Sequence, residues 1–476
     1  MTTRIRFLEI FTSEQVEQIH SSALQVIEET GLVLPQAEIL KHLDDAGAAV
    51  DFETHRVRMP PQLVEDSIRK APPCFTLYAR KLEKCLEMNG VDTYFSGPNA
   101  AINIIDLEGN RRPATVEDGE RFAKLVDVLP NYDISTGGVY PPGLADVELE
   151  VWSYMVSLIH STKPVLAAST SRQCARTIMQ MAEVAVAFSE LEPHQLPLIA
   201  IVNTTSPLYN TPRELDAFLE YVRRGVPIII APEPQAGATS PVTLAGTLVQ
   251  HTAEFLAHAA IAQLINPGVP IVYGTVASVF DMRRGMLPYG APEADLFSIA
   301  IAQMARFYNI PSRGTGGTAD ANALGMQAGV ESLMSILSCH MAGITYVNHA
   351  GGELENSLAA SYEKTIVDDE IIAMSKRLVR GIEISSGSLA LDVIKDVGPR
   401  GTFLSHGHTL KHFRTEHFIP TLWDRDRFVR WEESGRKKVE EQARDRVGSL
   451  LAEYEPDPLP REALDEISRI YAAIKK

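Results

Sequence analysis

The chain has 476 residues, 45% of them apolar, and a formal net charge of −17. This length suits a large single fold with appended elements, and the apolar share is that of a globular enzyme. The acidity and the lack of a basic run argue against nucleic acid as a partner. Cys74, Cys85, Cys174 and Cys339 stand far apart without a C-x-x-C pair, so they read as incidental thiols of a reducing compartment. The N-terminal residues hold no apolar run long enough for a secretory signal. No segment approaches membrane-spanning length, so a cytoplasmic location is expected.

The first ninety or so residues read as mostly helical. Thr12 and Gln15 are placed for a capping box. Val16, Ile19, Ala23, Val26 and Ile27 then recur at helical spacing. A second helix opens near Pro35 with Ile39, Leu40 and Leu43 inward, and a third follows Pro60 and Pro61. These helices are expected to cap one end of a main domain. Residues 93–106 alternate and meet a turn signal at Glu108-Gly109-Asn110, which predicts a hairpin. Residues 1–112 thus form an N-terminal, mainly helical cap.

Beyond Thr115 and Asp118, a helix start, short apolar runs alternate with amphipathic helices. The strand candidates are 132–140, 164–170, 198–204, 226–232, 270–275, 310–315 and 344–349. Continuous apolar strands between helices signal a parallel sheet buried on both faces. The expected fold is α/β, a (β/α)8 TIM-type barrel over residues 113–422, with 402–405 as a candidate for the remaining strand. An open doubly wound sheet would want G-x-G-x-x-G after its first strand, which is absent. Residues 423–476 read as a C-terminal helical extension, with a solvated charge-rich face over 432–446.

In a barrel the active site lies at the C-terminal strand ends. That rule selects Tyr140, Ser169, Asn203, Glu233, Tyr273, Thr275, Thr315 and the run His349-Ala350-Gly351-Gly352-Glu353. The set holds aromatic, amide, hydroxyl, carboxylate and imidazole groups, without lysine or arginine, so it suits a cation better than a phosphate. Aromatic faces attract a quaternary ammonium by roughly 1–2 kcal/mol each when desolvated. Each residue also has a plainer role open to it. The tyrosines can fill the barrel mouth, Glu233 can shape the turn between Pro232 and Pro234, and His349 can be a satisfied strand-end histidine. The glycines after His349 let a backbone approach a ligand. His406, His408 and His412 lack a standard zinc spacing, and no metal site is expected.

Several pieces together carry a family resemblance: Gln327-Ala328-Gly329 with Glu331, Gly351-Gly352, Val367-Asp368-Asp369-Glu370, Arg380-Gly381, Thr409-Leu410 and Asp424-Arg425. The chain resembles the trimethylamine methyltransferase family over nearly its whole length, most strongly from Pro311 to Arg425. The resemblance implies a barrel that binds a methylated amine and a separate corrinoid protein that accepts the methyl group. No tightly bound cofactor is expected, since the corrinoid (cobalamin) belongs to that partner; self-association remains open. The chain departs from the family in two places. It has no pyrrolysine, whose place falls near the 349–353 loop, and it has Asn322 and Gly325 where members often carry Lys-x-x-Asp. Members without pyrrolysine resemble betaine demethylases, and a quaternary amine departs as a neutral tertiary amine without needing a proton. The expectation is a methyltransferase taking a methyl from a quaternary, glycine betaine-like amine. His349 and Glu233 stand as its catalytic candidates. Tyr140, Asn203, Tyr273, Thr275, Thr315, Gly351, Gly352 and Glu353 line the donor, with the two glycine amides and His349 on its carboxylate. The alternatives are another methylated amine or sulfonium as donor, or a non-catalytic quaternary-amine-binding protein.

Overall fold

The computed structural model of the protein describes residues 7–474. The N-terminal stretch read above for a signal run, and the end of the C-terminal tail, lie partly outside those residues. Strands β1 (Tyr94–Phe95), β2 (Val165–Ala168), β3 (Leu198–Val202), β4 (Ile228–Ile230), β5 (Ile271–Gly274), β6 (Ser312–Thr315) and β7 (Tyr346–Asn348) form one parallel sheet. Its order is β1-β7-β6-β5-β4-β3-β2. A short segment touches both edges of this seven-stranded sheet: Ile134 bridges Ser96 and Ser135 bridges Val165, both in parallel sense. The Ile134 amide donates to Phe95 O at 3.2 Å and the Leu166 amide to Ser135 O at 2.9 Å.

The apolar strands obey a strict two-residue alternation. Leu166, Ile199, Ile229, Val272 and Tyr346 gather in one inner cluster. Val165, Leu198, Ile228, Ile230, Ile271 and Tyr273 join a second cluster shared with the helices. Both faces are therefore buried, which is why these strands read as continuous apolar runs. Residues paired in register share a face, so Arg313, beside Tyr346, points inward too.

The helical layer follows the expected alternation through α4 (Val116–Val128), α5 (Asp146–His160), α6 (Arg172–Ala187), α7 (Pro212–Arg224), α8 (Leu244–Ile265), α9 (Pro292–Tyr308), α10 (Met326–Ala342) and α11 (Tyr362–Arg380). The early helices, α1 (Ser13–Gln25), α2 (Ala37–Asp45) and α3 (Pro61–Ile68), form where the pattern placed them, with the Thr12–Gln15 capping box in place. Their position differs from the expectation of an end cap. All three pack against α8, which is apolar on every side and so needs covering on its outer face as well. The end of the sheet is instead plugged by the antiparallel pair Phe75–Leu77 and Leu86–Met88. That pair sends Leu77 and Met88 into the inner cluster, beside the starts of β4 and β5 at Pro227 and Pro270.

Two strand assignments also change. Tyr94–Phe95, expected in a hairpin, pairs with β7 as part of the main sheet. The hairpin lies just beyond it, between Asn103–Ile105 and Arg111–Pro113, turning at Gly109 with φ +80°. Residues 402–405 form an exposed turn rather than a strand. The C-terminal residues wrap the outside: α15 (Val439–Glu453) lies on α11 and α4, and α16 (Arg461–Ile474) lies on α5 and α6. No helix among the described residues is long and apolar enough to cross a membrane.

Asp118 ties three of these parts together. Its carboxylate accepts a bidentate pair from Arg112 at 2.6 and 2.7 Å, the Tyr362 hydroxyl at 2.6 Å and the Thr115 amide at 2.8 Å. Burial alone would raise its pKa, but those donors, Arg112 foremost, bring it down to about 2. A carboxyl with a depressed native pKa stabilises the fold above its unfolded value, and that stability is lost as pH falls through the native value. Asp118→Asn should therefore cost about 1–3 kcal/mol at neutral pH, measured by urea denaturation. The gap from the parent should close as the pH is lowered from about 4 towards about 2.

Candidate functional site

The inner faces of β6 and β7 carry polar side chains where the other strands carry aliphatic ones. Arg313 is fully buried. Its Nη1 donates to the Thr275 carbonyl and, at 3.0 Å, to Thr315 Oγ1. Its Nε and Nη2 have no hydrogen-bond partner among the described residues. Thr315 stands beside Asn348 in register. Asn348 Oδ1 accepts from Ser96 Oγ at 2.7 Å, from the Tyr346 hydroxyl at 3.1 Å and from the His349 amide at 3.0 Å. Those three bonds fix its orientation and leave the Nδ2 donor buried and unpartnered. Buried donors are nearly always satisfied, and a buried charge without a counter-ion is costly. Arg313 and Asn348 thus leave buried donors without a partner on two neighbouring strands of the sheet. Burial lowers the Arg313 pKa, and Tyr346, Tyr289 and Glu233 nearby act against that.

A second group faces the same space. Glu233 Oε1 accepts the Tyr289 hydroxyl at 2.9 Å. Enclosure raises the Glu233 pKa above the ordinary carboxylate range, while Tyr289, Arg313 and His349 pull it back. His349 leaves β7 in a left-handed conformation, φ +60°, and its Nδ1 meets Glu353 Oε1 at 2.7 Å. Glu353 is fully buried and also accepts from the Asn99 amide at 2.7 Å and Thr318 Oγ1 at 3.1 Å. With its oxygens engaged this way, Glu353 acts as an anchor that orients the imidazole.

The loops after β6 and β7 are clamped from α11. Lys364 Nζ donates to Gly317 O at 2.7 Å, Ser332 Oγ at 2.7 Å and Asp368 Oδ2 at 2.6 Å. The same Asp368 oxygen accepts the Gly352 amide at 2.8 Å. Both charged side chains are buried. One ion pair thus fixes both glycine loops.

The structure brings together Glu233, Thr275, Thr315, His349 and Glu353, with Arg313 at their centre. It separates the others. Tyr273 faces the helices, stacked on Phe255 at 3.7 Å with its hydroxyl on Thr252 Oγ1 at 3.0 Å. Tyr140 sits towards α5 and α6, near Glu150 and the buried Cys174 thiol. Asn203 is exposed, and its carbonyl accepts from Asn210. The Gly352 amide is spent on Asp368. A Cβ on Gly351 would meet the Tyr132 hydroxyl at 1.9 Å, so this glycine serves close packing. Arg313, Tyr289, Tyr346 and Asn348 escaped the strand-end rule because three of them lie within strands. The signal was present, since Arg313 is a lone cation inside an otherwise uncharged strand run, 310–315.

The family model described as trimethylamine methyltransferase (MTTB) matches residues 1–476. The chain belongs to the trimethylamine methyltransferase family. As a member it is a methyltransferase. It is 35% identical to a glycine betaine methyltransferase of Desulfitobacterium hafniense (strain Y51), covering 95% of this chain and 94% of that protein. It is 32% identical to a trimethylamine methyltransferase MttB of Desulfitobacterium hafniense (strain DSM 10664 / DCB-2), over 95% and 91% of the two chains. Identity to the MttB of Methanosarcina barkeri (strain Fusaro / DSM 804) is 28%, over 97% and 94%.

In this family member the Lys364–Asp368 pair joins elements far apart in sequence. Burial pushes the Asp368 carboxyl up and Lys364 holds it back. Lys364→Met should strand a buried carboxylate and destabilise the protein by about 3–5 kcal/mol. Urea denaturation would show this as a lowered midpoint.

Proposed function

We propose that this methyltransferase takes a methyl group from a quaternary amine that also bears a carboxylate, a glycine betaine-like donor. The acceptor is the cobalt(I) of a corrinoid carried by a separate protein. The observation that carries the donor reading is the buried guanidinium of Arg313, with two unpartnered nitrogens, and the unpartnered Asn348 amide nitrogen on the neighbouring strand. Such a group asks for a carboxylate. The similarity to a glycine betaine methyltransferase supports it, as does a chain made wholly of the twenty standard residues, without pyrrolysine. In the same reading the sheet closes as an eight-membered barrel, with Ile134–Ser135 as the remaining stave between β1 and β2. Residues 1–112 flank the barrel and lend it one strand, the stretch from 113 to the end of α11 forms the rest, and α15 and α16 wrap its helices.

In this reading Arg313, Asn348 and Thr315 hold the donor carboxylate. Glu233, Tyr289 and Tyr346 face the ammonium, the carboxylate by charge and the rings by their π faces. His349, held by Glu353, lines the mouth. The corrinoid's reduced cobalt supplies the nucleophile, so the chain's own task is to bind the donor, exclude water and fix one methyl towards the opening. The amine leaves neutral, and no residue here needs to deliver a proton to it. Glu233 acts as a fixed charge rather than as an acid.

Incubating the protein with reduced cobalamin and a panel of quaternary, tertiary and sulfonium donors tests the reading. The readouts are corrinoid absorbance and the demethylated product by NMR. Betaine-type donors should exceed tetramethylammonium at least about tenfold in kcat/KM. Arg313→Met should lower the betaine value about 100-fold, since truncating one side of a buried charge pair costs about 2–5 kcal/mol, and should erase the preference. No product from any quaternary amine would overturn the proposal.

Glu233 adds a pH signature. Its carboxylate form attracts the ammonium, and its pKa is raised by enclosure. Activity should therefore fall as pH drops through a value above the ordinary carboxylate range, with the limb visible in kcat/KM. Glu233→Gln should remove that limb and leave a lower, flatter profile.

A further inference from the structure

Tyr289 meets Glu233 from the loop that joins β5 to α9. Much of that loop is open: Met282, Arg283, Arg284, Gly285 and Met286 are all exposed. Two anchors hold the stretch around Tyr289. On one side, Ser278 Oγ donates to the Pro288 carbonyl at 2.6 Å. On the other, Asp320 in the loop after β6 accepts the Gly290 amide on Oδ1 at 2.9 Å, and the Tyr289 amide is a second donor to it.

Asp320 is itself held from α10. Glu331 Oε2 accepts the Asp320 amide at 2.9 Å and the Ala321 amide at 3.4 Å, and Gln327 Nε2 donates to the other Glu331 oxygen at 2.8 Å. Gly290 lies directly on this carboxylate: a Cβ there would come within 2.7 Å of Glu331 Cδ. The missing side chain lets the backbone approach that closely. Two carboxylates therefore stand side by side at this end of the sheet. Burial raises the Asp320 pKa and Glu331 adds to it, while the influences that lower it are the Gly290 and Tyr289 amides rather than a cation. Like charges so placed disfavour ionisation. What the pair achieves is mechanical: it fixes the Tyr289-Gly290 backbone against α10.

Asp320 has no direct hold on Glu233. Beyond burial, the groups that set the Glu233 charge are Tyr289, Arg313 and His349. The charges facing Tyr289 are Glu233, Arg313 and Glu353. Any effect of Asp320 on the site must pass through Tyr289, whose hydroxyl donates to Glu233 at 2.9 Å. We infer that Asp320 is a positioning residue for the pole that faces the ammonium: with Glu331 behind it, it sets Tyr289 so that the hydroxyl stays on Glu233. The consequence for turnover rests on the donor reading above; the consequence for Glu233 does not.

Infrared difference spectroscopy on the full chain reads Glu233 directly, through the protonated-carboxyl band that Glu233→Gln removes. A hydrogen bond from Tyr289 favours the ionised form, so losing it raises the midpoint of that band. Asp320→Ala should raise it by about one pH unit, as Tyr289→Phe should. The double variant should go no further than Tyr289→Phe alone. A through-space effect of Asp320 would have the opposite sign, because removing a negative charge lowers a neighbouring carboxyl. An unmoved or lowered midpoint in Asp320→Ala would overturn the inference, and so would shifts that add in the double variant. If Asp320→Ala fails to fold, Asp320→Asn answers instead. It keeps one acceptor, for Gly290, so its midpoint should fall between those of the wild type and Tyr289→Phe; a midpoint at or below the wild type would overturn the inference. These titrations need no methyl transfer, so they can succeed when the donor panel yields no product. With a working donor, the acid limb of kcat/KM should move with the infrared midpoint. Activity lost at every pH without that movement would make Asp320 merely structural.

Discussion

A guanidinium buried within the parallel sheet, with no carboxylate paired to it among the described residues, sets the terms for the rest of this molecule. Burying such a charge is costly, and the fold offsets only part of that cost. One nitrogen of Arg313 is satisfied by Thr275 and Thr315, while the other two remain open. Glu233 is near enough to feel the charge but spends its Oε1 on Tyr289. The arrangement separates a cationic pole at Arg313 from an anionic, aromatic one at Glu233 and Tyr289. The proposed betaine-like donor, a zwitterion, would answer both. A simple cation would leave the arginine unmet, and a simple anion would leave the glutamate unmet.

Holding those poles apart requires rigid loops, and the rigidity comes from behind the site. The Lys364–Asp368 pair on α11 reaches the loop after β6 through Gly317 and the loop after β7 through Gly352. Glu353 then orients His349 from within the second loop. The glycines of this region serve close packing against Tyr132 and Thr365 more than approach to a ligand. Loop order here depends on the buried Lys364–Asp368 pair, while the adjoining Asp369 and Glu370 accept instead from Asn131 and Thr421.

Division of labour along the chain follows from the same geometry. The mouth is where chemistry is placed, while α8 and the far end of α11 are where apolar surface is left over. The N-terminal helices cover the first of these surfaces. Residues 382–437, with α12 (Leu391–Val397), α13 (Gly407–Glu416) and α14 (Phe428–Glu433), extend the second, with Leu404, Leu410 and Phe428 exposed.

Much of the fold was legible in the sequence because burial on both faces writes itself as uninterrupted apolar strands, and because capping residues such as Thr12 and Thr115 mark helix starts locally. Short strands were harder. Tyr94–Phe95 is only two residues long and owes its place to pairing with β7, which no local pattern encodes. The site was half legible for a related reason. Strand-end position singled out His349, Glu233 and Thr315 but could not say which way Tyr273 points, since that depends on parity relative to the inner face of the sheet. Residue types, helix starts and the family motifs were determined by the chain alone. Which side chains share the interior, and hence that Arg313 keeps two unpartnered nitrogens there while the Gly352 amide is taken by Asp368, was decided only when distant strands came into register. Register is a long-range contact, and its energy lies in packing between segments rather than within any one of them.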